Sequence, residues 1–219
     1  MAPEDPLHLV GPPDRFVGRG GYKLEHAIKH FAISVEGRHA IDVGASTGGF
    51  TDCLLQRGAE HVVALDVGYG QLHNKLRTDG RVRVVERTNI REVDPVELGS
   101  PFDIVVADLS FISIQIVAAP LSALGDQESD WVLLVKPQFE VGKERVGKGG
   151  IVRDPTVHRE AIGLAVDALE AEGLGALGVV ASPITGAEGN REFLVHARRG
   201  ETSLDPSSVR RAVSQEEPA

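Results

Sequence analysis

Short apolar runs at residues 40–43, 61–65, 82–85, 104–107 and 131–135 alternate with stretches whose apolar positions recur at helical spacing, at 47–57 and 112–124. Strand-length runs interleaved with amphipathic helices are the rhythm of a parallel sheet. A further helix is expected over 156–172, with Ala161, Leu164, Ala165, Ala168 and Leu169 on one face. Two β-rich segments follow, 174–182 and 192–197, and these can close the sheet as an antiparallel hairpin. The expected fold is α/β and Rossmann-like, a mostly parallel seven-stranded sheet with helices on both faces.

Residues 1–15 carry four prolines and no periodicity, which reads as a disordered N-terminal extension. The folded domain is expected over 16–199, with 200–219 as a polar C-terminal tail ending Gln215-Glu216-Glu217-Pro218-Ala219. A chain of 219 residues with 42% hydrophobic content can bury one substantial core. None of its apolar runs approaches the roughly 20 residues that cross a bilayer. The start, Met1-Ala2-Pro3-Glu4-Asp5-Pro6, is acidic where a secretory signal is basic and then apolar, so the expected location is cytoplasmic, with no membrane partner.

A net charge of −9 argues against binding nucleic acid over the whole surface, because phosphate neutralisation needs clustered Lys and Arg. Contact with RNA would have to be local. Two stretches can supply it: Arg15, Arg19, Lys23 and Lys29, and Lys143, Arg145, Lys148 and Arg153 around a glycine-rich segment. Plain solvated charge is the alternative. The single cysteine, Cys53, excludes an internal disulfide and reads as a buried thiol, and the eight histidines show no ligand spacing, so no metal is expected.

The segment Ile41-Asp42-Val43-Gly44-Ala45-Ser46-Thr47-Gly48-Gly49-Phe50 leads from a strand into a helix through three glycines. Doubly wound folds bind cofactors at such a turn, where glycine lets the backbone approach the ligand. Its spacing is not G-x-G-x-x-G, which counts against a nicotinamide or flavin enzyme, and no Gly-Lys-Ser or Gly-Lys-Thr follows, which excludes a P-loop. Asp66 ends the next strand, where a carboxylate can accept both ribose hydroxyls of an adenosine. Asn89 and Asp108 end the third and fourth. Each acidic residue alone serves equally well as a helix N-cap. All of them capping behind this loop is a poorer account than a ligand crevice at the carboxyl edge of the sheet.

The segments Phe16-Val17-Gly18-Arg19-Gly20-Gly21-Tyr22-Lys23-Leu24, Asp42 to Asp52, Asp66-Val67-Gly68-Tyr69-Gly70-Gln71-Leu72, Glu86 to Arg91, Asp108-Leu109-Ser110-Phe111-Ile112-Ser113 and Lys136-Pro137-Gln138-Phe139-Glu140 resemble the TlyA family of hemolysin-like ribosomal RNA methyltransferases, with their FtsJ-type catalytic domain. A thinner likeness continues through Gly149-Gly150-Ile151-Val152-Arg153-Asp154 and Gly189-Asn190-Arg191-Glu192-Phe193. The resemblance implies methyl transfer from S-adenosyl-L-methionine to a ribose 2′-hydroxyl in ribosomal RNA or a ribosomal subunit. It implies cofactor contacts from Asp42, Gly44, Ala45, Ser46, Thr47, Gly48, Gly49, Phe50, Asp66, Val67, Asn89 and Asp108. Family members usually carry an N-terminal S4-type RNA-binding domain. There is no room for one before Arg15, so either a separate RNA-binding partner or a shortened form is expected.

FtsJ-type enzymes use a Lys-Asp-Lys-Glu set, and the resemblance places it at Lys23, Asp108, Lys136 and Glu192. A ribose hydroxyl is a poor nucleophile at neutral pH, so its proton must be removed as it attacks. Lys136 is the expected base, its ammonium destabilised by Lys23 and desolvation, with Asp108 orienting it and Glu192 holding Lys23 or the ribose. The alternative is a structural Lys136–Asp108 ion pair. Arg19 and Gly20 are candidate phosphate contacts and Phe111 and Phe139 candidate stacking platforms, with helix entry and core packing as the plain alternatives. Residues 142–152, with Lys143 and Lys148, read as a mobile loop that can close over RNA. Three rivals stand beside the enzyme: a membrane-active hemolysin, a catalytically silent RNA or ribosome-binding module, and small-molecule methylation on the same fold.

Overall fold

The computed structural model describes residues 14–186 and 188–214. Most of the expected N-terminal extension, residues 1–13, lies outside them. Seven strands form one sheet: β1 (His39–Val43), β2 (His61–Leu65), β3 (Val82–Val85), β4 (Ile104–Ala107), β5 (Asp130–Val135), β6 (Leu174–Ala181) and β7 (Phe193–Arg199). Their spatial order is β3-β2-β1-β4-β5-β7-β6, with β7 antiparallel to both of its neighbours and every other pairing parallel. The chain reverses its direction of progress between β1 and β4, and the carboxyl ends of adjacent strands at such a switch point open a crevice.

Strand burial follows from this topology. Strands covered on both faces are apolar throughout rather than alternating, as in Ile104-Val105-Val106-Ala107 and Trp131-Val132-Leu133-Leu134-Val135, all buried. One face packs Ile41, Val43, Val105, Trp131 and Leu133 against α5 (Ile114–Ser122), α7 (Pro155–Ala171) and α8 (Pro206–Ser214). The other packs Ala40, Val62, Val106 and Val132 against α1 (Gly20–His30), α2 (Gly49–Gln56) and the short α3 (Asn74–Arg77). Trp131 is fully buried and its indole nitrogen donates to the Leu121 carbonyl (2.9 Å), so the ring's one polar atom carries no desolvation penalty. Cys53 is buried in α2, where burial pushes its thiol up to about 12.

The expected polar tail needs correction. After β7, residues Pro206–Ser214 form α8, whose Ala212 and Val213 are buried against the first face. Arg191 donates to the carbonyls of Val213 (2.7 Å) and Ala212 (3.1 Å), satisfying acceptors that a helix end leaves open. The short α4 (Pro95–Leu98), capped by the Asp94 carboxylate, and α6 (Pro137–Glu140) complete the elements that matter below.

Candidate active site

Each catalytic candidate arrives at the carboxyl edge of the sheet by a different route. Asp108 is the first residue after β4, and Lys136 the first after β5. Pro137 follows Lys136 and keeps it extended (φ −111°, ψ 103°), so its side chain leaves the strand at the sheet edge. Glu192 directly precedes β7, and the antiparallel register that pairs Val135 with Phe193 brings that strand's start beside the end of β5. Lys23 projects from the first turns of α1.

Together these four side chains make one chain of charges. Lys136 Nζ lies 2.6 Å from Asp108 Oδ1, Lys23 Nζ lies 3.9 Å from Asp108 Oδ2, and Lys23 Nζ donates to Glu192 Oε2 at 2.6 Å. Lys23 and Lys136 are only 7% and 8% exposed, and each buried amino group has a carboxylate partner of its own. Asp108 stands between the two lysines, where the sequence reading had set Lys23 against Lys136 directly. Glu192 holds Lys23, the first of the two partners expected for it.

All four line a cavity of about 1190 Å³ that also takes in Asp42, Gly44, Ala45, Ser46, Thr47, Gly49 and Phe50 from the glycine-rich turn. Gly44 has φ +87°, and a Cβ there would lie 2.6 Å from the Asp108 carbonyl oxygen, so only glycine lets β1 and β4 diverge at this spacing. Asp42 is fully buried in the wall. Its Oδ2 accepts from the Thr51 amide (2.9 Å) and hydroxyl (2.7 Å), while Oδ1 has no partner among the described residues. Burial pushes its carboxyl up to about 7; Thr51 opposes the rise, and the neighbouring Asp108 and Asp66 add to it. An unpaired buried oxygen in the lining is an unmet polar group that a bound ligand can satisfy.

Four of the expected cofactor residues lie outside the lining. Gly48 takes φ +96° as the N-cap of α2. Asp66 accepts from the Ser46 amide (2.7 Å) through one carboxylate oxygen and from the Gly68 amide (2.6 Å) through the other, fixing the glycine-rich turn to the β2 tip. Asn89 accepts from the Arg91 amide (3.1 Å) and donates to Glu92 (2.9 Å), and Val67 is exposed.

At the mouth of the cavity, Arg19, Gly20, Phe111, Phe139 and Lys143 are part of the lining, and Lys148 is not. Arg19 donates to the Thr185 carbonyl (2.5 Å). Phe111, 91% exposed and at φ +64°, holds its ring 5.2 Å from that of Phe139. An exposed phenylalanine in a backbone region that costs energy is not a core residue, and sites of this kind cluster where function fixes them.

Three contributors lie in segments quoted above but were given no role there. Ser110 Oγ accepts from Lys136 Nζ (2.8 Å). Gln138 lines the cavity beside Lys136, with a buried Oε1 that lacks a partner among the described residues. Asn190 pins the segment read as a mobile loop. Its Oδ1 accepts from the Val152 amide (2.9 Å) and its Nδ2 donates to the Gly150 carbonyl (2.8 Å), while Val141, Val146 and Val152 pack on Val157 and Ala161 of α7. The strap so held, residues 142–152, supplies Lys143, Val146, Gly147, Gly149 and Gly150 to the cavity wall. Asn190 carried a signal in sequence, since the Gly149 to Asp154 and Gly189 to Phe193 segments were singled out separately; their contact was not visible there.

Residues 16–199 match the FtsJ-like methyltransferase family. The chain is 53% identical over 195 residues to the 16S/23S rRNA (cytidine-2′-O)-methyltransferase TlyA of Mycobacterium tuberculosis, covering 88% of this chain and 72% of that one. It is 43% identical to hemolysin A of Brachyspira hyodysenteriae, covering 83% and 76%. Among solved structures, a Streptococcus thermophilus protein named as a hemolysin superposes with a TM-score of 0.88 at 41% identity, over 94% of this chain and 75% of that one.

Proposed function

This chain belongs to the FtsJ-like methyltransferase family, and we propose that it transfers a methyl group from S-adenosyl-L-methionine to a ribose 2′-hydroxyl of ribosomal RNA. The observation that carries the proposal is the Lys136–Asp108–Lys23–Glu192 chain in the wall of a cavity shared with the glycine-rich turn. Cytidine, named for the Mycobacterium tuberculosis relative, is the nucleotide to test first.

The cavity fits the cofactor. Gly44 to Phe50 give it a backbone cradle, Asp42 an unpaired oxygen in the lining, and Asp66, which uses one lone pair of each oxygen on Ser46 and Gly68, retains others for ribose hydroxyls at the edge of the turn. When bound, S-adenosyl-L-methionine supplies an electrophilic methyl group on a sulfonium sulfur. The protein's own task is at the attacking oxygen. Lys136 takes the proton of the 2′-hydroxyl, and the ammonium so formed rests on Asp108 Oδ1 and Ser110 Oγ, both already in place. Lys23, fixed by Glu192, balances the other Asp108 oxygen and keeps that carboxylate from turning away. Phe111 and Phe139 form an aromatic shelf for the unstacked base, and Arg19, Gly20 and Lys143 of the lining, with Lys148 on the adjoining strap, border the path of its phosphates.

No helix among the described residues is long and apolar enough to cross a membrane, and no group of three or more His, Cys, Asp or Glu side chains is arranged there to hold a metal. A ribosomal substrate favours a cytoplasmic site for the reaction. With a net charge of −9, the chain gains from a separate RNA-binding partner that supplies further phosphate contacts. The test is methyl transfer from labelled S-adenosyl-L-methionine to ribosomal subunits and naked ribosomal RNA of a methylation-deficient host. Wild type labels RNA, and Lys136→Ala lowers turnover by about 10²–10⁴-fold with cofactor affinity retained. A Lys136→Ala protein that still turns over normally removes the base from the account.

A further inference from the structure

Lys136 must present a lone pair, not merely a nitrogen, to the ribose hydroxyl. A neutral lysine amine has two N–H donors and one lone pair, so a single acceptor leaves it free to rotate about the Cε–Nζ bond. Here Ser110 Oγ accepts the one hydrogen bond that Lys136 Nζ makes among the described residues, at 2.8 Å, and Asp108 Oδ1 holds the same nitrogen as an ion pair at 2.6 Å. The directional bond to Ser110 and the charge contact to Asp108 together narrow the directions left to the lone pair.

We propose that Ser110 is a positioning residue for the methyl transfer, the second anchor that aims the Lys136 lone pair into the cavity. This rests on the ribose-methyltransferase reading above. In the step it serves, the 2′-O–H bond breaks, an N–H bond forms on Lys136, and the proton stays there as the third hydrogen of an ammonium still anchored by Asp108 and Ser110.

The loop that carries Ser110 is built to hold it still. It leaves β4 at Asp108 and ends at the N-cap of α5, where Ser113 donates to Glu140 Oε2 (2.6 Å) and the Ile114 amide to Glu140 Oε1 (3.0 Å). Glu140 is itself buried and lies four residues after Lys136. The β4 and β5 tips are therefore joined at three successive levels: Lys136 on Asp108 and Ser110, Phe139 on Phe111, and Glu140 on Ser113 and Ile114. Phe111 accepts φ +64° directly after Ser110, a conformation that needs this support from both sides. Ser110 also lines the cavity, and its own O–H has no acceptor among the described residues.

The experiment measures kcat, KM for RNA, cofactor affinity and the thermal midpoint for wild type, Ser110→Ala and Ser110→Thr. Ser110→Ala is expected to lose roughly tenfold to a hundredfold in kcat through misaimed geometry. Its KM, cofactor affinity and midpoint stay within about twofold and a few degrees of wild type. Ser110→Thr, which keeps the hydroxyl, recovers most of the lost kcat. The proposal is overturned if Ser110→Ala turns over within threefold of wild type, if its loss lies in KM or cofactor affinity, or if the threonine variant is as impaired as the alanine. Wild type failing to methylate ribose would instead overturn the functional reading on which the proposal rests.

Discussion

Asp42 shows most clearly how a single residue records its surroundings. It is the penultimate residue of β1, a strand flanked on both sides by β2 and β4, and it keeps one oxygen on Thr51 and leaves the other without a partner among the described residues. Burial raises its carboxyl to about 7 from 3.8, so the folded protein binds this proton more tightly than the unfolded chain does. The stability this contributes is complete below about pH 4, the unfolded value, and is lost as pH rises through 7. Thermal unfolding of the cofactor-free protein between pH 4 and 8 should therefore show a decline that Asp42→Asn, a mimic of the protonated form, flattens. Parallel pH profiles for the two proteins would mean that Asp42 is already ionised in the fold. Sequence alone marks Asp42, Asp66 and Asn89 as one set of strand-tip polar residues. Their differing uses, as a buried wall, a turn anchor and a local loop cap, depend on amides that no periodicity locates.

At the scale of elements, the strap from 142 to 152 is held from outside itself. Its two 3₁₀ turns, Lys143–Arg145 and Lys148–Gly150, bury no residue of their own, and Asn190 takes both a donor and an acceptor from it. Asn190→Ala leaves the buried Val152 amide unsatisfied, at a cost of about 1–3 kcal/mol, while the carbonyl of exposed Gly150 can turn to water. The effect should stay local, because segments with few buried contacts open without the core. Trypsin cleavage at Lys143, Arg145 and Lys148 should accelerate about tenfold or more while the main thermal transition moves little. Unchanged cleavage would show that the valine cluster on α7 holds the strap without Asn190. The strands and long helices were legible in sequence because apolar periodicity is a local signal: β2, β3 and β4 lie where expected, and α5 starts two residues later than expected because Ser113 caps it. The strap's restraint and α8 were not legible, since both depend on partners far along the chain, Asn190 for one and Arg191 for the other.

For the whole molecule, the acidic surface and the basic mouth act in opposition. A chain of net charge −9 repels RNA except where Arg19 and Lys143 line the cavity and Lys148 lies on the adjoining strap. Few phosphates are then neutralised, so the affinity for a single-stranded ribosomal RNA fragment should fall with salt at a log–log slope of only about −2 to −3, at roughly −0.7 per phosphate. Lys143→Ala should make that slope shallower by about 0.7 at every sequence tested. A steep slope left unchanged by Lys143→Ala would place the RNA on another face. That Lys23, Asp108, Lys136 and Glu192 would meet was legible because four residue types at matching positions are hard to satisfy by accident, whereas Ser110 and Gln138, quoted within the same segments, carried no sign of their contact with Lys136 or with the cavity. Fold and charge chain converge on one chemistry, and its product is distinctive.

The most direct test is the position of the methyl group within the RNA. Ribosomal RNA methylated by the purified protein is hydrolysed in alkali, where a 2′-O-methyl blocks cleavage of the neighbouring phosphodiester. The account predicts that label stays in alkali-resistant dinucleotides and that this fraction disappears with Lys136→Ala. Label recovered on the base of a fully cleaved nucleotide would contradict it.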